Sequence, residues 1–414
     1  MGVSGISLCS LAVAILISGY SRINLGIICI GFAFVIGYFF AGLNMANIYM
    51  QGFPLSLFFL LLGTTLFSSI AKQNGTYVVL AKQMVFLSSG NRRLACLLIF
   101  VFSFIFSFLG MGTIVTPAII MPLLLQTGKE ENIPEELVIL LTISGCIAGG
   151  LSIFAPTGVI GNALGTEVGV KSYWPIYAAA FLTFILHGVI IFFLFGGYRL
   201  SNMKERAYEP MIINGSQFLT VIVIFGVITA ILGFKKDIGL SFFFGATVLL
   251  MCKAADQDEV IRGVSWDVML LLCGVSMLIY VIKASGGIDA VMTVVNGKMT
   301  AGNAGALTAL LAGAMSFVSS SSVVVMPTII PMVSEFSSIV NGAVSPLFLT
   351  AAIIIGTHTV PYSPASTMGV IGLALSSGKD KYKLFLKLLL TAFIMYFSTV
   401  LLFLLGAYNI LNRF

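Results

Sequence analysis

The stretch GVIGNALG at residues 158–165 has a near copy 211 residues later, GVIGLALS at residues 369–376. Each copy follows a polar, proline-containing segment that interrupts an otherwise hydrophobic run. The same displacement relates Lys72 and Gly75 to Lys283 and Gly286. Broken hydrophobic segments at matching places in two halves of a chain are typical of secondary transporters, in which they mark the binding site. The repeat therefore predicts two related halves whose interrupted helices form one site.

The composition is that of a polytopic membrane protein. The chain has 414 residues, of which 59% are hydrophobic and 9% charged, and its mean hydropathy is +1.09. A soluble protein of this length needs a charged surface that this composition does not supply. The first hydrophobic run continues into a second and lacks a basic N-terminal region, which predicts a retained helix rather than a cleaved signal peptide.

Hydrophobic runs of about 20 residues predict the transmembrane helices. Each half contains five, and the fourth of each half is broken by prolines, at about residues 137–165 and 346–375. Two further runs, at about residues 94–125 and 305–333, reverse at a polar tip and predict re-entrant hairpins. The predicted fold is an all-α polytopic membrane protein with a first inverted repeat over residues 1–197, a cytoplasmic linker over residues 198–215 and a second inverted repeat over residues 216–414. Short interfacial helices are expected at residues 75–86 and 287–295.

Loop charges predict the orientation in the membrane. Five crossings per half invert the second repeat relative to the first, and Lys and Arg are enriched on the cytoplasmic side of a membrane. Of the 21 Lys and Arg residues, fifteen fall on one predicted side. The other side receives Lys171, Lys235, Lys236, Lys283, Lys298 and Arg413. The side with fifteen is predicted to be cytoplasmic, which places both termini outside the plasma (inner) membrane of a prokaryote.

Four stretches of non-helical backbone are predicted at membrane depth, where they are tolerated only if they line a wet cavity or are buried in protein. They are the hairpin tips, at residues 110–117 and 319–322, and the helix breaks, at residues 151–158 and 358–367. Prolines at the breaks free backbone carbonyls, and carbonyl and hydroxyl oxygens are ligands that Na⁺ accepts. Helix starts at Gly158 and Thr367 are expected to direct positive dipole ends into the same cavity, where they suit a carboxylate.

The lack of acidic residues inside the predicted spans favours an anionic substrate. The spans contain no Asp or Glu at mid-depth, which a cation carrier normally needs. Because the predicted site contains no Arg or Lys, accompanying Na⁺ ions are expected to compensate a dicarboxylate. Lys72 and Lys283 are interpreted as residues at span ends whose ammonium groups reach the membrane surface. His358, beside the second break, is a candidate for proton coupling, whereas His187 is interpreted as structural.

The segment GGLSIFAPTG at residues 149–158 resembles the MatC-type malonate/dicarboxylate carriers. A hairpin tip and a broken helix in each half also resemble the wider ion transporter superfamily of secondary carriers. In the divalent anion/sodium symporters of that superfamily, each tip carries a Ser-Asn-Thr motif. Here the tips read GTI at residues 112–114 and SSS at residues 320–322, so this signature is absent. The resemblance implies a homodimer that moves its transport domain like an elevator.

The resemblance also implies positions for ions and substrate. One Na⁺ is expected near Gly112, Thr113, Ser152, Thr157 and Asn162. A second Na⁺ is expected near Ser320, Ser321, Thr359, Ser363 and Thr367. The anion is expected between these clusters, with the candidate ligands Thr113, Thr157, Gly158, Ser321, Ser322, Ser366 and Thr367. No catalytic residue and no organic cofactor are expected.

The sequence therefore predicts a secondary active transporter rather than an enzyme. The favoured reading is a Na⁺-coupled symporter of a small di- or tricarboxylate, a C3–C4 dicarboxylate first, that works by alternating access. The alternatives are an H⁺-coupled carrier of a monocarboxylate or sugar acid, an anion exchanger, and a passive anion channel with a dipole-lined pore. An intramembrane enzyme would need a catalytic set that two distant histidines do not provide. The expected partners are the substrate, the lipid bilayer and a second copy of the chain, and no nucleic acid.

Overall fold

The chain folds into helices packed side by side. A computed structural model describes residues 2–21, 23–79, 91–201, 212–234, 236–264, 266–287, 298–317, 320–364, 366–376 and 380–413, and every regular element in these ranges is helical. In this part of the chain, four helical stretches have the length and composition to cross a membrane: Arg92–Met111, Trp174–Leu194, Ser321–Ile339 and Lys381–Leu404. Shorter apolar helices accompany them. The prediction of an all-α polytopic membrane protein is confirmed at this level.

The first half contains nine described α-helices. They are α1 (Val3–Ser21), α2 (Leu25–Val35), α3 (Met45–Gly52), α4 (Leu55–Gln73), α5 (Arg92–Phe106), α6 (Gly112–Glu130), α7 (Glu135–Gly150), α8 (Pro156–Glu167) and α9 (Trp174–Leu194). Single π-helical turns extend α2 over Ile36–Phe40 and α5 over Ser107–Met111.

The second half contains ten described α-helices. They are α10 (Gly215–Leu232), α11 (Ile238–Met251), α12 (Gln257–Arg262), α13 (Trp266–Ala284), α14 (Ala304–Ser316), α15 (Met326–Ile329), α16 (Val333–Ile339), α17 (Pro346–Thr357), α18 (Thr367–Leu375) and α19 (Lys381–Leu404). A π-turn, Ser321–Val325, precedes α15, and short 3₁₀ turns lie at Gly197–Arg199, Ile330–Met332, Val360–Tyr362 and Asn409–Arg413.

Helix starts repeat along the chain with the displacement seen in the sequence. Helices α4 and α13 begin at positions 55 and 266, α7 and α17 at 135 and 346, and α8 and α18 at 156 and 367. Each pair is separated by 211 residues. The short helices α3 and α12, which begin at 45 and 257, follow the same rule within one residue. The two halves therefore have the same order of elements.

Helices of the two halves pack against each other where glycines allow close approach. Helix α4 packs against α11 of the other half, and its repeat-related partner α13 packs against α2. A Cβ on Gly63 would lie 2.5 Å from the Gly239 carbonyl oxygen, and a Cβ on Gly274 would lie 2.0 Å from the Gly26 carbonyl oxygen. Gly63 and Gly274 are themselves 211 positions apart. The same kind of close backbone contact thus joins α4 to α11 and α13 to α2.

Buried apolar side chains form one large core and two small ones. The large core draws mostly on the hairpins, the broken helices, α9 and α19 of both halves. One small core joins α1, α2, α3 and α13 and includes Val324 of the second hairpin. The other joins α4, α10, α11 and α12 and includes Phe154, which lies between α7 and α8. We call the first group the large-core helices and the other two groups the flanking helices.

Several predicted boundaries differ from the structure. The first tip was expected over residues 110–117, but α6 already begins at Gly112, so the turn is confined to Gly110–Gly112 and Pro117 lies inside α6. The return arm of the second hairpin, expected to end at residue 333, continues to Ile339. Helices α3 and α12 were not predicted. The predicted interfacial helices and linker fall largely on residues 80–90, 288–297 and 202–211, outside the described residues.

Candidate functional site

Tip 1, residues 110–113, is a tight turn that only glycines build without strain. Gly110 has φ 106° and Gly112 has φ 71°, a region that other residues rarely adopt. A Cβ on Gly112 would lie 3.0 Å from the Pro156 Cδ atom. Tip 1 therefore touches the middle of the α7–α8 segment rather than one of its ends, as a re-entrant hairpin requires.

Break 1, residues 151–155, ends where Pro156 begins α8. Proline disfavours the helical conformation in the residue before it, and Ala155 is extended with φ −107° and ψ 147°. Pro156 itself occupies the first turn of α8, where its missing N–H costs nothing. The predicted helix start at Gly158 is therefore two residues late. Gly158 instead allows break 1 to lie close against α8, because a Cβ there would lie 2.0 Å from the Ser152 carbonyl oxygen.

At break 2, residues 358–366, a glycine again allows close backbone approach. Unlike the start of α8, however, the start of α18 is capped by a side chain. A Cβ on Gly369 would lie 2.0 Å from the Ser363 carbonyl oxygen, and both residues are 211 positions from their counterparts at break 1. The Ser366 hydroxyl, however, accepts a hydrogen bond from the Gly369 N–H and caps α18. The expectation that the α18 start serves the same cavity as the α8 start is not supported by the cavity described below.

Side chains from both tips, the start of α8 and break 2 form one hydrogen-bonded chain. The Thr113 and Thr157 hydroxyl oxygens are 3.1 Å apart. The Ser322 hydroxyl lies 3.4 Å from the Thr157 hydroxyl and 3.2 Å from His358 Nε2. His358 Nδ1 donates to the Ile354 carbonyl oxygen at 2.8 Å. All four side chains that form the chain are buried, so the two halves meet in a polar cluster inside the protein.

A cavity of about 250 Å³ lies beside this cluster. Thr113, Thr157 and Ser322 form its large-core wall, together with glycines of tip 1. Its opposite wall comes from the flanking helices and includes Thr65, Ser68, Ser69, Lys72 and Gly263. Pockets for drug-sized ligands span roughly 300–1,000 Å³, so this smaller volume suits a small metabolite.

The electrostatic character of the cavity favours an anion. Helices α6 and α8 both begin in its wall, and neither start has a side-chain cap. Uncapped N–H groups and the helix dipole attract negative charge. Among the described residues that line the cavity, Lys72 alone is charged. The site was predicted without Arg or Lys, whereas in the structure α4 brings Lys72 alongside the tips.

Backbone oxygens for a cation are also present at the tips. Pro117 has no N–H to donate to the Thr113 carbonyl four residues earlier, and Pro327 stands in the same relation to Val323. Thr113 and Val323 both line the cavity. Na⁺ is a hard cation, and carbonyl and hydroxyl oxygens supply ligands of that kind. Among the described residues, no group of three or more His, Cys, Asp or Glu side chains is placed to hold a metal ion.

Several predicted ligands lie outside the cavity. The Ser152 hydroxyl donates to the Phe108 carbonyl at 3.3 Å, and the Thr359 hydroxyl donates to the Gly356 carbonyl at 2.7 Å. The Ser321 hydroxyl donates to the Thr357 carbonyl at 3.0 Å. The remaining predicted ligands that are absent from the cavity wall are Gly158, Asn162, Ser320, Ser363, Ser366 and Thr367. Their roles as Na⁺ or substrate ligands stay predictions.

Sequence reasoning missed two residues near the site. Lys72 was assigned to the membrane surface because a lysine at the end of an apolar run usually reaches it. Thr357 was not considered, yet its hydroxyl is buried without a hydrogen-bond partner, next to the Ser316–Ser321 hydroxyl pair at 2.6 Å. A buried hydroxyl without a partner is costly, so Thr357 is a further candidate ligand for a cation at the second tip, residues 320–322.

Comparison with known proteins finds one family similar to the first part of the chain. Residues 1–150 match the family model of the dicarboxylate carrier protein MatC N-terminus. This match supports a MatC-type carrier. The matched segment includes α1–α7 and therefore contains tip 1 and Lys72, but it ends before break 1. No curated protein matches the chain. A MatC-type carrier implies transport, which agrees with the apolar helices and the enclosed polar cluster.

Proposed function

We propose that the chain is a secondary active transporter that moves a small di- or tricarboxylate together with Na⁺, with a C3–C4 dicarboxylate favoured. The observation that carries this proposal is the cavity where Thr113, Thr157 and Ser322 meet two uncapped helix starts and Lys72. A dicarboxylate needs positive charge on more than one side. The helix starts and Lys72 supply part of it, and Na⁺ at the oxygen ligands of the tips supplies the rest.

The two repeats are proposed to be inverted, and the course of α4 and α13 supports this. A second cavity, of about 460 Å³, is lined by Gly52 and Pro54 just before α4 and by Lys283 near the end of α13. The first cavity is lined by Lys72 near the end of α4 and by Gly263 just before α13. At each cavity, the start of one helix therefore lies beside the end of the other. These repeat-related helices thus run in opposite directions.

An elevator-type movement is proposed from the division of the hydrophobic core. The large-core helices carry both tips and both breaks, from which Phe154 and Val324 pack into the flanking cores. The flanking helices supply the other cavity wall. Movement of one body along the other exposes the cavity to each side in turn without breaking up the hydrogen-bonded chain. The homodimer, the prokaryotic plasma membrane and the outside location of both termini are part of the same proposal.

Uptake of radiolabelled malonate and succinate into proteoliposomes tests the function. Inward Na⁺, K⁺ and H⁺ gradients are compared in separate samples, and valinomycin with K⁺ sets the membrane potential equally in each. We expect accumulation only with the inward Na⁺ gradient. Absence of uptake of both acids under every gradient would refute the proposed substrate class.

A proton-coupled carrier is the second candidate, and His358 is the observation that favours it. Its Nε2 atom faces Ser322 in the same hydrogen-bonded chain that reaches the cavity. Accumulation driven by the H⁺ gradient alone, and lost in His358→Gln, would replace Na⁺ coupling by this mechanism. Strong stimulation by unlabelled acid on the opposite side, without any cation gradient, would instead indicate exchange.

A further inference from the structure

The two cavities have flanking walls built from the same positions of the repeat. Thr65, Ser69 and Lys72 line the first cavity, and the residues 211 positions later, Ser276, Tyr280 and Lys283, line the second. Gly52 in the second cavity and Gly263 in the first have the same relation. The repeat-related side chains Ser69 and Tyr280 both donate hydrogen bonds at these walls, Ser69 to the Val260 carbonyl and Tyr280 to the Gln51 side chain. The flanking helices thus present two equivalent lysine-bearing walls.

The large-core walls of the two cavities are not equivalent. The first cavity contains both tips and the start of α8, whereas the second contains the far end of α8, including Ala163 and Glu167. Ala163 lies six residues beyond Thr157, which is about 9 Å along an α-helix. A shift of the large-core helices by about that distance toward Lys283 brings Thr157 to the height that Ala163 occupies now.

We propose that Lys72 and Lys283 bind the same substrate carboxylate in turn, one lysine in each end state of the transport cycle. This inference rests on the proposed function and names the residues that receive the anion on each side. In the state described here the tips lie at Lys72. After the shift they lie at Lys283, whose wall offers a hydroxyl from Ser276 where Thr65 stood.

Glu167 takes the place of the substrate at Lys283 in the present state. Both side chains line the second cavity, where burial penalises the charged form of the Glu167 carboxylate and the Lys283 charge opposes that penalty. Because Glu167 belongs to α8, the same shift that brings the tips to Lys283 carries Glu167 away by about 9 Å. One carboxylate is thereby exchanged for another, and Lys283 keeps a counter-charge in both states.

The test compares transport from the two faces of the membrane. Right-side-out and inside-out vesicles are prepared from cells that express Lys72→Gln, Lys283→Gln or the wild type. The KM for radiolabelled malonate is measured with an inward Na⁺ gradient in each kind of vesicle. We expect each variant to raise KM about five- to tenfold on one face and less than twofold on the other, with the two variants affecting opposite faces. A tenfold change corresponds to about 1.4 kcal/mol of lost carboxylate binding.

Three further variants separate this role from general damage. Lys383→Gln removes an exposed lysine of α19 and should leave both KM values unchanged. Lys72→Arg keeps the charge and should raise KM less than Lys72→Gln does on the same face. Glu167→Gln frees Lys283 and should lower KM two- to threefold on the face that Lys283→Gln affects, but have no effect in a Lys283→Gln background.

The outcomes distinguish the two proposals. A wild type that accumulates malonate, with both lysine variants unchanged or both impaired on the same face, overturns the alternating lysines and leaves the transporter intact. A wild type that takes up neither malonate nor succinate under any gradient overturns the proposed function and this inference with it. Effects of the two variants on opposite faces support both.

Discussion

Gly158→Ala should disable the site through one misplaced methyl group. The added Cβ would lie 2.0 Å from the Ser152 carbonyl oxygen and 2.3 Å from the Leu151 carbonyl oxygen. Ordinary van der Waals contact begins at 3.4 Å, so break 1 and the start of α8 must separate by up to 1.4 Å. Overpacking of this kind costs about 1–3 kcal/mol, and the gain of helix propensity returns at most about 1 kcal/mol.

The separation also moves Thr157, the neighbour of Gly158. Thr157 lies 3.1 Å from Thr113 and 3.4 Å from Ser322, so a shift of about 1 Å breaks one or both contacts. Each hydrogen bond contributes about 0.5–1.5 kcal/mol. We therefore expect KM for malonate, or the Na⁺ concentration for half-maximal uptake, to rise about tenfold in proteoliposomes.

The repeat supplies a matched control for this change. Gly369→Ala creates the same 2.0 Å clash, with the Ser363 carbonyl, but break 2 does not line the cavity. It should lower thermal stability as much as Gly158→Ala and affect KM much less. Gly226→Ala, where nothing lies within 4 Å of the added atom, should be neutral or slightly stabilising. Wild-type kinetics in Gly158→Ala, or equal kinetic damage in Gly369→Ala, would contradict the assignment of the site to the start of α8.

Three further predictions follow from single contacts. Thr157→Ala and Ser321→Ala should each raise the Na⁺ concentration for half-maximal uptake about two- to tenfold by removing a hydroxyl; unchanged Na⁺ dependence in both would move the cation sites elsewhere. Pro156→Ala relaxes the extended conformation of Ala155, so uptake should fall although the protein inserts and elutes as the wild type does; full activity would refute a role for the break. Lys387→Met removes the half-exposed ion pair with Glu136 and should cost less than about 1 kcal/mol, seen as a lower melting temperature in low salt only, with unchanged uptake.

Features that depend on local sequence were predicted well. Hydrophobic runs bounded by polar residues place helix ends, and the predicted broken helix at residues 346–375 matches α17 and α18 together. Prolines placed both breaks, because their effect on the preceding residue is local. The N-cap of α18 could also be predicted, because Ser366 directly precedes the helix and serine is a typical N-cap residue. Asn44 and Asp256, which cap α3 and α12, carried the same signal.

Features that depend on contacts between distant segments were not predictable from the sequence. Lys72 lines the cavity because α4 packs beside tip 1 and α8, and no pattern within α4 specifies that neighbour. The chain from Thr113 to His358 joins residues up to 245 positions apart through four separate segments. The tips and breaks could be proposed to meet because irregular backbone needs a shared polar environment. Packing decides which hydroxyls form hydrogen bonds with another segment and which form them with a carbonyl of their own helix.

Because α4 packs against a helix of the second half, one of its faces stays uncovered while the second half is being synthesised. Helix α4 is complete at Gln73, but α11, whose Gly239 it contacts, begins only at Ile238. At about 5–20 residues per second, the ribosome needs roughly 10 to 30 seconds to make the intervening chain. During that interval the Gly63 face of α4 has no helix from the second half to cover it. Any factor that shields this face while the second half is made would raise the yield of folded protein without changing its stability.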